Sequence, residues 1–327
     1  MQDIVVMGSN TVDVYVSTDA DLIRIQYPHH QRNESQTILG YPLGRKILAE
    51  EFRTSIGGSG INAATAFNRC GLQTTYLGCL GDDMYGAQVY EHLSHEGIAL
   101  RGGTGEKNGF GIILESQAPD RTILSFKGCN NDLTLEDVEV ETLDTKWFYS
   151  STVMGDTYET LKELLPALRE KGTKTALNTS AYLAEKGMDE LRDVLSNTDM
   201  LIVNKHEAHL LTDKSDVENQ LEILQGIVHD IVAITDGAKG VHVAREDTVL
   251  RGEPGDVDLV DTTGAGDAFT AGLLTGVIQD ESLETAVLYG LLQSENVVQS
   301  ENTTEALASL SALQEQARND SRKIKRL

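Results

Sequence analysis

The chain is 327 residues long with 40% hydrophobic content, enough to bury one large core or two unequal ones. Its 27 Lys and Arg stand against 51 Asp and Glu, a formal net charge of −24 at pH 7. So acidic a surface repels nucleic acid and anionic membranes and excludes both as expected partners; an anionic nucleotide stays open, because a local cradle of N–H groups or a bound cation overrides the global field.

Three cysteines, Cys70, Cys79 and Cys129, show no CxxC spacing and cannot all pair with one another, so they read as reduced, buried thiols. The opening Met1 to Gly8 lacks a basic region and a long apolar stretch, and reads as a strand rather than a signal peptide. No run of about 18 apolar residues is present to cross a membrane. A soluble, cytoplasmic protein is expected.

In chain order, Ile4 to Met7 reads as a buried strand that opens into the loop Gly8-Ser9-Asn10-Thr11-Val12-Asp13. Ligands of open α/β sheets gather outside the carboxyl ends of strands, so Asp13 stands where it accepts hydrogen bonds from hydroxyls, or where it caps a turn. Residues 18–50 hold Pro28, His29, His30 and Pro42 without sustained periodicity and read as an insertion or part of a lid, the histidines as solvated. Gly57-Gly58-Ser59-Gly60-Ile61-Asn62 precedes a helix over 65–70 and a strand over 75–80. It satisfies neither GxGxxG nor the P-loop pattern, so a nucleotide must be held another way. Gly78, Gly81, Asp82 and Asp83 read as a structural turn. Met84 to Glu96 reads as an amphipathic helix with Val89 and Leu93 inward and His92 and His95 on its surface. Gly109 to Leu114 and Thr122 to Phe126 alternate around Ser116 to Asp120, as a β-hairpin does.

From Trp147 strands and helices alternate: strands over 147–151, 175–178 and 200–204, helices over 156–171, 187–196 and 206–212. That rhythm implies right-handed crossovers and a doubly wound, mostly parallel α/β sheet with helices on both faces. Asn204 and Glu207 lie three apart after a strand, a spacing that serves either a hard cation at a cleft or a helix-capping box. Val232 to Thr235 runs into a glycine turn carrying Lys239, and 240–244 with 248–252 form a hairpin. Next comes Asp261-Thr262-Thr263-Gly264-Ala265-Gly266-Asp267, whose glycines permit a sharp bend and whose following apolar run, Ala268 to Ile278, reads as a helix. Its first turn offers unpaired N–H donors and a positive dipole end to an anion such as a phosphoryl group, with Asp267 inside that end as an acceptor of a hydroxyl proton. Helices follow over 283–298 and over 304–316 with Thr304 as cap, and the basic tail 318–327 reads as a frayed end.

Asp-Thr-Thr-Gly-Ala-Gly-Asp-Ala-Phe at 261–269 resembles the C-terminal signature of the ribokinase-like, or PfkB-type, family of carbohydrate and nucleoside kinases. The stretch from Gly57 to Asn62 resembles its amino-terminal signature, Asn204 to Glu207 its Asn-x-x-Glu motif, and Thr235 to Gly240 its Thr-x-Gly-x-x-Gly segment. The resemblance implies one kinase domain over 1–327 with a small β-sheet lid drawn from about 9–55 and 105–127. It implies transfer of the γ-phosphoryl group of ATP to a hydroxymethyl oxygen of a small carbohydrate, with Asp267 as base and Gly264, Ala265 and Gly266 as anion hole. Asp13, Gly58 and Asn62 would grip the acceptor; Asn204, Thr235, Gly237 and Gly240 would border ATP; Glu207 would hold Mg2+ through water. Asp261 and Thr263 match the positions where cation-dependent members hold a monovalent ion such as K+. Asn296 to Asn302 would lie near the adenine, and a homodimer would form through the lid. Ser59 departs from the lysine common in ribose-specific members, which keeps a nucleoside kinase as the alternative; a non-catalytic sugar or nucleotide sensor is a third reading.

Overall fold

The computed structural model describes residues 1–18, 21–26, 35–115, 121–300 and 303–327. In chain order the strands and helices are β1 (Gln2–Met7), β2 (Thr11–Ser17), β3 (Asp21–Gln26), β4 (Ser35–Gly40), β5 (Glu51–Gly57), α1 (Ser59–Arg69), β6 (Thr74–Leu77), β7 (Leu80–Gly81), α2 (Met84–Glu96), β8 (Ala99–Arg101), β9 (Thr104–Gly105), β10 (Phe110–Glu115) and β11 (Thr122–Phe126). The second half follows as β12 (Thr145–Ser150), α3 (Gly155–Glu170), β13 (Lys174–Asn178), α4 (Ser180–Ala184), α5 (Gly187–Leu195), β14 (Met200–Asn204), α6 (Lys205–Thr212), α7 (Val217–Gln225), β15 (Ile231–Thr235), β16 (Val241–Arg245), β17 (Thr248–Gly252), α8 (Ala265–Ile278), α9 (Leu283–Val298), α10 (Leu310–Asn319) and β18 (Lys325–Arg326).

A ten-stranded sheet runs in the order β18-β17-β16-β15-β14-β13-β12-β1-β6-β8, parallel from β15 to β8 and antiparallel from β15 to β18. Alternate residues of β1 serve opposite cores: Ile4 and Val6 pack with α1, α2, α8 and α9, while Val5 and Met7 pack with α3, α5, α6 and α7. Both faces are covered, which is why the strand reads as a continuous apolar run rather than an alternation. The expected doubly wound sheet is present.

A separate four-stranded sheet, β11-β10-β2-β5, is the small β-sheet lid of the fold. It joins two distant segments, since β2 pairs with β5 on one side and, in parallel, with β10 on the other. Residues 18–50, read as an insertion or part of a lid, hold a two-stranded sheet, β3 with β4; His29 and His30 lie outside the described residues. Two expectations are corrected. The helix expected over 304–316 runs instead from Leu310 to Asn319, because Ser309, not Thr304, accepts the Ala312 N–H and caps it. The tail is anchored: Lys325 and Arg326 extend the sheet against β17, and Arg322 is clasped by Glu295 and Asp320. A helix the sequence reading passes over, α7, is capped by Asp216.

The site depends on how closely α8 and α9 approach. A Cβ at Gly272 would meet the Tyr289 carbonyl oxygen at 2.4 Å, and one at Gly276 would meet Ala286 Cα at 2.6 Å. Small residues in Ala268 to Ile278 therefore serve helix packing. Replacing Gly272 with Val is expected to destabilise the fold by about 1–3 kcal/mol or more in urea unfolding, and an unchanged midpoint would contradict this packing role.

Candidate active site

The loops leaving β1, β14 and β15 and the turn entering α8 lie at the carboxyl ends of the parallel strands. Gly264 adopts φ +76°, in the left-handed region that favours glycine, and turns the chain into α8. A Cβ there would strike Thr303 Cγ2 at 2.3 Å, whereas one at Gly266 would meet nothing within 4 Å. Gly264 is thus required by the bend, and Gly266 leaves its side of the turn open. Among the described residues the Gly264, Gly266 and Asp267 N–H groups make no hydrogen bond, as expected of donors at a helix start. They form a concave, positive end suited to an anion.

Asp267 lies in the first turn of α8. Asn62, in the first turns of α1, donates from Nδ2 to its Oδ2 at 3.3 Å, across 205 positions of sequence. Burial pushes the Asp267 carboxyl up to about 7, the charge of Glu207 adds to the rise, and the Asn62 hydrogen bond opposes it. The group keeps some contact with solvent, yet the protein around it removes most of the hydration that favours its charge. Asn62 Oδ1 is buried and has no partner among the described residues, an acceptor left for a ligand hydroxyl.

Asp13 stands on β2. Its carboxyl occupies a slot between two glycines: a Cβ at Gly57 would meet Oδ2 at 2.4 Å, and one at Gly111 would meet Oδ1 at 2.3 Å. Burial raises its affinity for a proton, against the Thr11 hydrogen bond and the Lys127 charge. The loop before it is pinned by Asn10, whose Nδ2 donates to Tyr76 Oη and to the Cys79 carbonyl, both at 2.9 Å, while its N–H donates to Asn130 Oδ1 at 2.8 Å. Gly58 takes φ +93° with Ser9 and Asn10 backbone atoms within 3 Å of where a Cβ would stand, so it lets α1 start against this loop. Ser59 Oγ accepts from Ser151 Oγ at 2.9 Å and lies 3.2 Å from Ser9 Oγ, tying three loops together.

At the start of α6, Asn204 and Glu207 form a full capping box: Asn204 Oδ1 accepts the Glu207 N–H and Glu207 Oε2 accepts the Asn204 N–H, both at 2.9 Å. Glu207 is buried, and that burial raises its pKa. Its capping role is therefore observed. Thr235 pairs with Asn204 in register, and Gly237 follows it with φ +52°. Gly240 has a different reason for being glycine, because a Cβ there would meet the Gly252 carbonyl oxygen at 2.0 Å. Lys239 is mostly exposed, while Lys205 Nζ pairs with Asp236 at 3.0 Å. Asn296 exchanges amide hydrogen bonds with Gln316, at 3.2 and 3.0 Å, which joins α9 to α10; Asn302 lies outside the described residues. Among the described residues no cluster of three or more His, Cys, Asp or Glu is arranged to hold a metal ion.

The structure brings Asp267, Gly264, Ala265, Gly266 and Asn62 together. Asp261 and Thr263 adjoin them, but their side chains are engaged by a residue the sequence reading missed: Arg121 Nη1 lies 3.2 Å from Asp261 Oδ1, and Nη2 donates to Thr263 Oγ1. No local signal marks Arg121, which stands immediately before β11. The Gly57–Gly111 slot had one, since a glycine inside an alternating strand points to close approach.

The sequence model of pfkB family carbohydrate kinases matches residues 11–310. The chain belongs to this family. It is an ATP-dependent carbohydrate kinase. It is 28% identical over 260 residues to the ribokinase of Haemophilus influenzae, covering 76% of this chain and 82% of that protein. Among solved structures, Arabidopsis thaliana ribokinase complexed with ribose and ATP superposes with a TM-score of 0.80 at 19% identity, covering 97% and 99% of the two chains. The adenosine kinase of Sinorhizobium meliloti does so at 0.79 and 22%, covering 97% and 99%.

The raised Asp267 carboxyl has two consequences for pH. Below about pH 7 it carries a proton and cannot accept another, so kcat/KM is expected to fall about tenfold per unit beneath a break near 7. Folded Asp267 also holds its proton more tightly than the unfolded chain does, so its ionisation removes stability as pH rises from about 4 through about 7. Asp267→Asn is expected to be more stable than the parent at about pH 8 and equal to it at about pH 4; urea titrations at the two values check this.

Proposed function

We propose that the enzyme phosphorylates a hydroxymethyl oxygen of a free sugar. The observation that carries this reading is the Asn62–Asp267 pair beside the open N–H donors of the α8 turn. Asp267 takes the hydroxyl proton, the oxygen attacks the γ-phosphorus of ATP, and the bond to the β-phosphoryl oxygen breaks with its electron pair leaving on ADP. The Gly264, Ala265 and Gly266 turn meets the charge on the transferred group, which is where preorganised donors have most effect. Asp13, Gly58 and the unpartnered Asn62 Oδ1 supply the acceptor grip. Asn204, Thr235 and Gly237, at the ends of neighbouring strands, border the nucleotide; Gly240 supports that border through its packing on Gly252.

The donor set fits Mg2+ carried in on ATP: Glu207 and Asp267 are carboxylates raised by burial, and such a hard cation needs only one or two of them beyond water and phosphate oxygens. Bound Mg2+ neutralises charge on the phosphoryl oxygens. Glu207, through the oxygen outside its cap, is the residue that would hold it by way of water.

The lid favours a sugar over a nucleoside. Tyr15 shares the face of β2 with Asp13, but it is only 5% exposed and Arg53 lies 3.4 Å over its ring, itself paired with Glu115 at 3.0 Å. This is a polar wall, and a base needs a flat apolar slot. A non-catalytic sensor has no use for a buried, proton-accepting carboxylate at an anion site. Three free cysteines and the use of ATP fit a cytoplasmic enzyme.

ADP release across free sugars, sugar phosphates and nucleosides tests the acceptor; turnover confined to nucleosides would overturn the sugar reading. Asp267→Asn is expected to lower turnover by about 10²-fold or more while ligands still bind, and Asp13→Ala to raise KM for the acceptor far more than for ATP. Near-normal turnover in the first, or equal losses in the second, contradicts the assigned roles.

The face of the small sheet opposite Asp13 exposes Phe52, Leu124 and Phe126, at 69%, 53% and 52%. A second copy of the chain laid on this face would cover them. Light scattering is expected to show a dimer that Leu124→Asp converts to monomer; a monomeric parent protein would refute it.

A further inference from the structure

The residues matching the monovalent-cation positions do not fit an ion. Asp261 Oδ1 already accepts the Thr263 N–H at 2.9 Å and the Thr263 hydroxyl at 2.8 Å, and it ion-pairs with Arg121 Nη1 at 3.2 Å. Arg121 Nη2 donates to Thr263 Oγ1, and the Thr263 carbonyl accepts from Thr303 Oγ1 at 3.0 Å. An alkali ion needs several oxygens turned toward one point, whereas these are turned toward a guanidinium and toward one another. The pair is sheltered, with side-chain exposures of 23% for Arg121 and 15% for Asp261. Sheltering removes much of the screening that makes exposed pairs weak.

Arg121 stands immediately before β11 of the small sheet, and Asp261 and Thr263 lead into Gly264 of the anion turn. The contact joins positions 142 apart and ties the small sheet to the turn entering α8. A guanidinium is a fixed, planar cation with forked donors, so it supplies both a unit positive charge and the geometry to hold a carboxylate and a hydroxyl together.

We propose that Arg121 takes the place of the monovalent cation, so that this kinase needs none, and that it positions the Asp261–Gly264 turn with its N–H donors aimed at the phosphoryl group. This rests on the phosphoryl-transfer reading of that turn. Without Arg121, the Asp261 carboxylate stands uncompensated beside the anion hole and works against it. Because the charge arrives on the small sheet, the anion hole is complete only while that sheet is docked, which ties phosphoryl transfer to closure over the acceptor and limits transfer to water.

The test compares the parent enzyme, Arg121→Ala and Arg121→Lys in KCl, guanidinium chloride and tetramethylammonium chloride at matched ionic strength, with Mg·ATP and an acceptor that turns over. The parent is expected to work within about twofold at the same rate in K+ and tetramethylammonium. Arg121→Ala is expected to lose about tenfold or more in kcat in tetramethylammonium, to recover severalfold with K+ or guanidinium, and to keep its KM for ATP within about threefold, while Arg121→Lys retains an intermediate rate. A second readout needs no turnover: K+ should raise the melting temperature of Arg121→Ala over tetramethylammonium, and leave the parent unmoved. K+ activation of the parent by about tenfold, a K+-specific melting shift in the parent, an Arg121→Ala protein as fast as the parent in tetramethylammonium, or a folded Arg121→Ala rescued by neither ion overturns the proposal. Failure of the base assignment shows separately, as an active Asp267→Asn, and leaves the ion comparison readable.

Discussion

The organising constraint is a carboxylate kept where water solvates it poorly. Asp267 is useful as a proton acceptor only if it remains ionised near neutral pH, and burial pushes it toward the neutral form. Two features oppose that push, the open N–H groups and positive end of α8 and the side-chain donor from Asn62. Asn62 belongs to α1, far away in the chain, so the balance exists only when α1 and α8 pack in the same apolar core. Ile61, Ala63, Phe67, Ala268 and Leu273 all contribute to that core.

Glycine provides the tolerance that such packing requires, for distinct reasons at distinct places. Gly264 takes a backbone angle that side chains resist, and Gly272 lets α8 touch α9 backbone to backbone. Gly57 and Gly111 leave the volume that the Asp13 carboxyl fills. The proposed acceptor and phosphoryl sites thus depend on missing side chains as much as on present ones. The polar contacts around them, from the Asn10–Asn130 knot to Ser59 between Ser9 and Ser151, hold the loops at the spacing the glycines allow.

Charge shows the difference between global and local fields. The chain carries −24 overall, yet the turn entering α8 is built from N–H donors and lies beside Arg121. Within a few ångströms, oriented donors and one sheltered guanidinium outweigh distant surface carboxylates, which solvent and salt screen.

The sequence alone carried the doubly wound sheet, the motif order and the Asp267 turn, because strand and helix periodicity and tight turns are decided within a few residues. Its shortfalls lay where local signals are equivocal or compete. Thr304 and Ser309 are both acceptable caps, and packing against α9 favours the second; the basic tail looks frayed until an open strand edge and a Glu295 partner are placed beside it. Glu207 reads both as cap and as ligand holder, and only the folded chain shows the cap made. The largest gap was Arg121, whose meaning comes entirely from a contact with Asp261 and Thr263 that no local pattern encodes. Partners separated by more than a hundred residues are selected by the closing of two sheets on each other, and that selection belongs to tertiary structure.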